Sequence, residues 1–494
     1  MNILVIDVGT SSIRGVLYDE RGNELFVHQI GYQVRFFGEI YAEQSPSDWS
    51  DTIVEISRET VRFCRERGLT VDGLSLTSQR SSIIPVDKAG RPLRDAIMWQ
   101  DKRNGPIVAE MQDKVAFVHS LTGARINTVF SGTKMTWFRR NEPDLYAKTH
   151  KLCTIADFIV HEITGQFRTD HTYGARSLLM NIRTRQWDDR LLELFQVERD
   201  KLCQLVEPGS VVGSVSPEFA EKTGLRAGLP LVSGGGDQQC GALGQGVLGT
   251  GKVELTTGTG AFMLGICDRV PEGLQGNIIC GAHCVPGKYV LESSMLACAA
   301  MYNWAKRELF VDSDPEKPFE KINSAVLSSP AGANGCLALP YFQGRGTPDW
   351  NSDAKGAFVN LSLGTTRADM VRAVLEAIAL EAKNNIDVLE GYAGFFREIH
   401  ISGGLTHFDG FNQIQSDVYQ KPLLKEVSSA EQTAYGAWLG AAVTLGLMPS
   451  YESAFAAKKR EYLRYTPNPA NREVYALRQQ QLQAAYQSLY GMGK

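Results

Sequence analysis

The chain opens on an apolar run over residues 3–6, stops at Asp7, turns through Gly9-Thr10-Ser11-Ser12 and becomes apolar again over residues 13–18. Short apolar runs bounded by glycine and hydroxyl residues read as buried strands, so residues 1–22 predict strand, tight polar turn, strand. The same pattern returns over residues 253–264, where Thr257-Gly258-Thr259-Gly260 interrupts the run. Further apolar segments predict strands at 24–34, 71–77, 230–233 and 336–342, and Ile399-His400-Ile401 runs into another pair of glycines, Gly403 and Gly404. Helical spacing takes over elsewhere. Pro46-Ser47 opens a helix reaching about residue 67, with Ser47 as its cap and Ile53, Ile56, Thr60 and Phe63 on one face. The clearest helix spans 367–390, where Val371, Leu375, Ile378, Ala382 and Ile386 form a stripe behind a Thr366/Asp369 capping pair. Helices are also predicted at 132–140, 153–165, 292–306, 433–447 and 471–490, with another starting near Asn412. Residues 170–177 read as an exposed polar loop.

Length turns this alternation into a domain count. A chain of 494 residues exceeds one ordinary core and predicts two domains. The small, aperiodic stretch 248–251 marks their boundary, which gives an N-terminal domain over 1–247 and a C-terminal domain over 248–494. A hydrophobic content of 43%, a charged content of 21% and a net charge of −4 describe a globular protein with no call for nucleic acid or an acidic membrane as partner. No apolar run reaches about eighteen residues and Met1 leads directly into a strand, so neither a membrane span nor a secretory signal is expected. Nine scattered cysteines fit a reduced, cytoplasmic setting.

The candidate chemistry gathers at the glycines. Ser233-Gly234-Gly235-Gly236 leads straight into Asp237, an acid placed where a ligand can approach bare backbone, and therefore a candidate general base. Asp7, at the end of the first strand, is placed to hold a hydrated Mg²⁺, while Thr10, Ser11 and Ser12 can donate to phosphate oxygens. Gly258 and Thr259 offer a second set of N–H and hydroxyl donors. No Gly-Lys-Ser or Gly-Lys-Thr follows the first turn, so it is not a Walker loop. A strand follows at once where a dinucleotide motif needs a helix. A base and two phosphate cradles predict phosphoryl transfer to a hydroxyl.

Taken in order, DVGTSSIRG, EQSPSDW, SQR with IMWQDKR, SGTKMTWF, GGGDQQ, TTGTGAF, the stretch LPYFQGRGTPDWNSDAKGAF and ISGG followed by NQIQSD resemble the FGGY carbohydrate kinases, within the actin, Hsp70 and sugar-kinase superfamily. The resemblance covers nearly the whole chain. It implies an α/β fold of two actin-like (ribonuclease H-like) domains with an ATP and substrate cleft between them, ATP and Mg²⁺ as cofactors, and a small sugar or polyol as partner. A homodimer is compatible with it. It also implies Asp237 as the catalytic base and Thr10, Ser11, Ser12, Arg14, Gly258 and Thr259 on the phosphates. Gly403, Gly404, Ala299 and Asn303 would lie at the nucleoside, and Gln79, Arg80, Trp99, Asp237, Gln238 and Phe262 at the acceptor. Two positions depart from the glycerol kinases of that family: Ser81 stands where they carry Glu, and Val129 where they carry Tyr. The wider pocket this implies predicts a ketose or sugar alcohol of roughly four to six carbons in preference to glycerol. A sugar-acid kinase of the same family and a non-catalytic actin- or Hsp70-like nucleotide switch are the alternatives.

Overall fold

The computed structural model describes residues 1–427 and 431–491. Among the described residues the chain forms two compact units. Unit 1 comprises Met1–Leu248, Cys267–Val290 and 431–459; unit 2 comprises Gly249–Ile266, 291–427 and 460–491. The first passage between units falls at Leu248 and Gly249, and the chain returns to unit 1 twice afterwards.

Unit 1 is built on a six-stranded sheet in the order Val211–Ser214, Pro230–Gly236, Gly73–Ser78, Ile3–Val8, Ser12–Tyr18, Glu24–Gly31. The strand Ile3–Val8 is antiparallel to its hairpin partner and parallel to Gly73–Ser78, which is itself parallel to Pro230–Gly236. Alternation along the first strand sorts its side chains. Leu4, Ile6 and Val8 pack with Trp49, Ile53 and Ile56 of the helix Pro46–Arg67. Ile3 and Val5 pack on the other face with Ala434, Ala437, Trp438 and Ala441 of the helix Gln432–Thr444. Asp7 continues that second face, as do Ser12 and Arg14 on the next strand, where Val16 and Tyr18 join the same core. The helix Asp237–Gly244 lies hard against Gln432–Thr444. A Cβ at Gly436 would come within 1.9 Å of the Cys240 carbonyl oxygen, and one at Gly244 within 2.0 Å of that of Gln432.

Unit 2 repeats the plan. Six successive strands of its seven-stranded sheet run Tyr462–Tyr465, Leu423–Glu426, Glu398–Ser402, Lys252–Thr257, Ala261–Cys267, Tyr289–Met295. The long helix Arg367–Ala393 begins with a reciprocal Thr366/Asp369 capping box, and its Val371, Leu375, Ile378, Ala382 and Ile386 are buried.

Three local expectations are corrected. The first helix starts at Pro46, which suits an N-terminal helical position because its missing N–H would be unpaired there. Ser45 therefore occupies the cap position, and Ser47 lies inside the helix. Residues 292–306 do not form one helix. Tyr289–Met295 is a strand and the helix is Ala299–Leu309, because alternation of small and bulky residues satisfies a strand as well as a helix. Residues 170–177 are not exposed: all eight are buried, in a strand end, the short helix His171–Gly174 and a following turn.

Candidate active site

In unit 1 the candidate residues gather where three neighbouring strands end. Parallel register sets Asp7 beside Thr77 and Thr77 beside Gly235, while the hairpin sets Arg14 directly opposite Asp7. Asp7 is only 9% exposed. Burial pushes its carboxyl up to about 7; Asp237 pushes the same way, Arg14 opposes and Glu431 again raises it. Arg14 is itself paired with Glu431, and its Nε donates to Gln29 Oε1 at 3.0 Å. The carboxylates of Asp237 and Glu431 and the guanidinium of Arg14 thus all act on Asp7.

The first turn is fastened from several sides. Gly9 N–H closes it on the Ser12 carbonyl at 2.9 Å. The Gly9 carbonyl accepts from Tyr32 Oη at 2.6 Å and from Gln79 Nε2 at 3.0 Å. Trp99 Nε1 donates to Thr10 Oγ1 at 3.2 Å, and its ring is 36% exposed. The Trp99 backbone N–H in turn donates to Ser82 Oγ at 3.0 Å. The candidate acceptor wall and the first phosphate turn are therefore one hydrogen-bonded assembly.

Arg80 reaches Asp237 with Nε at 3.4 Å from Oδ1, and its Nη1 donates to Gln239 Oε1 at 3.1 Å. Asp237 Oδ1 also accepts from the Gln238 N–H at 2.7 Å. Asp237 opens its helix behind Gly236, so the carboxylate stands at a helix N-terminus, where negative charge is favoured. Beside Arg80, Ser81 holds a left-handed backbone (φ 74°), and its buried hydroxyl has no hydrogen-bond partner among the described residues. Val129 is held by its carbonyl, which accepts from Lys134 Nζ at 2.8 Å. That lysine is fully buried, and burial pushes its ammonium down to about 7.

Unit 2 carries the other candidates. The Gly258 carbonyl accepts from Ala299 N–H at 2.9 Å and the Thr259 carbonyl from Cys298 N–H at 2.8 Å, so the second turn is tied to the start of the helix Ala299–Leu309. Asn303 lies one turn along that helix from Ala299 and is exposed. Thr257 Oγ1 donates to the Ser402 carbonyl at 3.1 Å. Gly403 follows with φ 93°, and a Cβ there would meet the Thr257 backbone at 2.5 to 2.8 Å. Gly404 is exposed bare backbone. Phe262, 43% exposed, belongs to this unit's hairpin, whereas the other acceptor candidates lie in unit 1.

Glu431, Gln239 and the buried group Asp170, Thr172 and Tyr173 enter the site's surroundings without having been singled out in the sequence. An Asp-x-Thr pattern at a strand end is a turn signal that could have drawn attention to the last group. Among the described residues no helix is long and apolar enough to cross a membrane.

Residues 2–244 match the N-terminal domain of the FGGY family of carbohydrate kinases and residues 253–445 its C-terminal domain. The xylulose kinase of Bacillus subtilis (strain 168) is 27% identical over 474 residues, covering 96% of this chain and 94% of the relative. The glycerol kinase of Solidesulfovibrio magneticus is 31% identical over 482 residues, 95% of this chain and 94% of the relative. The crystal structure of xylulose kinase from Rhodospirillum rubrum superposes with a TM-score of 0.93 at 25% identity, covering 99% of each chain. With both domains of the family matched in order along the chain, the protein belongs to the FGGY family of carbohydrate kinases.

Proposed function

We propose that this carbohydrate kinase transfers the γ-phosphoryl group of ATP to a hydroxyl of a ketose or sugar alcohol of roughly four to six carbons, with glycerol a poor acceptor. The observation that carries the preference is Ser81. A short side chain whose buried hydroxyl has no hydrogen-bond partner among the described residues follows Arg80, where the glycerol kinases of the family carry the longer, charged Glu. In this reading Gln79, Arg80, Trp99, Gln238 and Phe262 contact the acceptor. Exposed aromatic rings suit its C–H faces and the amides and guanidinium its hydroxyls. Asp237 orients the reacting hydroxyl and takes its proton. The hydroxyl oxygen bonds to the γ-phosphorus as the bond to the bridging oxygen breaks, and ADP leaves. Thr10, Ser11, Ser12, Arg14, Gly258 and Thr259 hold the phosphates. Ala299, Asn303, Gly403 and Gly404 hold the nucleoside, where a chain without side chains admits a flat base.

Mg²⁺ fits the first turn: the donors are hard oxygens, and Asp7 sits in a like-charged group with Asp237 and Glu431 that a divalent cation would relieve. Asp7 would hold it through water, and the ion would supply charge neutralisation on the phosphates. The sugar-acid alternative is weakened by Arg80, whose guanidinium already serves Asp237 and Gln239. The nucleotide-switch alternative leaves the Gln79, Arg80 and Trp99 set without a purpose.

The test is kcat/KM by ADP release for glycerol, erythritol, xylulose, ribulose, fuculose and gluconate. A ketose or sugar alcohol should exceed glycerol by about tenfold or more. If glycerol leads the panel, the argument from Ser81 fails.

A further inference from the structure

The turn that delivers Asp237 has little holding power of its own. It contains three successive glycines, and the strand slips register against Gly73–Ser78 between Ser233 and Gly235. Gly235 has φ 101°, a conformation that leaves its two flanking peptides open to either direction unless something outside the strand fixes them. The fixing comes from the buried segment at 170–174. Asp170 Oδ1 accepts from Thr172 N–H at 2.7 Å and from Thr172 Oγ1 at 2.5 Å, and Asp170 Oδ2 accepts from Ser233 Oγ. Thr172 Oγ1 then accepts from the Gly236 N–H at 2.9 Å. One residue on, Tyr173 Oη donates to the Gly235 carbonyl at 2.8 Å, which also receives Thr77 Oγ1 at 2.8 Å. The Gly235–Gly236 peptide, one removed from Asp237, is therefore gripped on both sides: its N–H by Thr172 and its carbonyl by Tyr173 and Thr77.

We propose that Asp170 and Thr172 are positioning residues for Asp237, a carboxylate-to-hydroxyl-to-amide relay that sets where the Gly236 peptide, and hence the base, stands. The chemistry favours this over plain packing. Asp170 is 1% exposed and its hydrogen-bond donors are two hydroxyls and an amide, none of them a cation. Burying such a carboxyl is costly when a neutral side chain of the same size would fill the space. What the carboxylate adds is direction: it takes the Thr172 hydroxyl proton, so the hydroxyl oxygen must present its lone pairs to Gly236. Thr172 is 0% exposed, and its hydroxyl bridges Asp170 and the Gly236 N–H. The relay touches neither acceptor nor nucleotide in the proposed reading, so its effect should appear in turnover and not in binding.

The inference rests on Asp237 as the base, and the experiment separates the two. Steady-state kinetics of the full chain with ATP and its best acceptor are compared for Thr172→Val, Thr172→Ser, Tyr173→Phe and Asp237→Asn. Thr172→Val keeps the shape and removes the hydroxyl; kcat should fall on the order of 10²-fold with KM for ATP and for acceptor within about twofold. Thr172→Ser restores the hydroxyl and should recover kcat to within a few-fold of the parent. Tyr173→Phe frees the Gly235 carbonyl from one of its two hydroxyl donors, leaving Thr77 and the weaker Cys240 thiol, and should cost about tenfold in kcat. Should Thr172→Val not fold, Thr172→Ser and Tyr173→Phe still decide, since the proposal requires the first to be near parental and the second to be slow at unchanged KM. The proposal is overturned if Thr172→Val turns over within twofold of the parent, if Ser is as slow as Val, or if KM rises in step with the fall in kcat. A parental kcat in Asp237→Asn would instead remove the base, whatever the relay variants do.

Discussion

The two units share a sheet plan over six successive strands, yet their corresponding positions carry opposite kinds of chemistry. In each, an edge strand pairs antiparallel with the second, the second, third and fourth run parallel, and the fourth turns back through a tight hairpin. One step in from the first hairpin turn stands the charged pair Asp7 and Arg14; at the same step in the second stand Thr256 and Phe262. Beside the first hairpin a strand ends in Ser78-Gln79-Arg80, and beside the second in Ser402-Gly403-Gly404. The repeated backbone supplies phosphate-sized turns twice, and the side chains divide the remaining labour. Unit 1 collects acids, a guanidinium and amides, suited to hydroxyls, protons and a cation. Unit 2 strips side chains away, suited to an uncharged ring.

The sharpest way to break that division is at the proton. Asp237→Asn should lower kcat on the order of 10³-fold while ATP still binds with its parental affinity, measured by titration calorimetry. A weakened ATP affinity with intact turnover would place nucleotide chemistry in unit 1's acid and dissolve the contrast. Next in size is the bare strand end of unit 2. Gly403→Val should raise KM for ATP about tenfold or more and leave acceptor KM unchanged, because a side chain there meets the Thr257 backbone in a left-handed conformation. An effect on the acceptor alone would reverse the assignment.

The remaining prediction is read in stability and concerns Asp7 in the ligand-free protein. Its folded carboxyl ionises near 7 instead of 3.8, so folding disfavours the charged form. The contribution is favourable below the unfolded value, is lost as pH climbs through about 7, and stays lost above it. Asp7→Asn has no such loss. By urea unfolding its advantage over the parent should grow from near zero at acid pH to a few kcal/mol at pH about 8.5, on the order of 1.4 kcal/mol per unit of displacement. An advantage that does not change with pH would show that the carboxyl is not the source of the strain.

The hairpins and the long helix were legible because one cause dominates each. Residues 3–6 are apolar, Val253 and Leu255 alternate with polar residues up to the second turn, and Thr366 with Asp369 closes a capping box in both sequence and structure. The candidates around Asp7, Gln79, Arg80 and Asp237 were legible because glycines and hydroxyls at strand ends advertise backbone approach. Residues 170–177 were not. Asp, His, Thr, Tyr, Arg and Ser look like a surface when counted for polarity, and only their partners in three dimensions make them interior. Glu431 was hidden for a related reason: its significance lies in facing Arg14, more than four hundred residues earlier.

The return of residues 431–459 to unit 1 also governs when the enzyme can come into being. The helix Gln432–Thr444 fills the face that Ile3, Val5, Val232, Cys240 and Leu243 would otherwise turn to water, and it lies in direct contact with the helix that Asp237 begins. A ribosome that has finished Leu248 has made most of unit 1's chain but lacks the wall of its core. The core of the nascent first half therefore stays open on that side until residues 431–459 have been made. The natural cut for a split or truncated version of this kinase is consequently not the boundary that divides its two family domains.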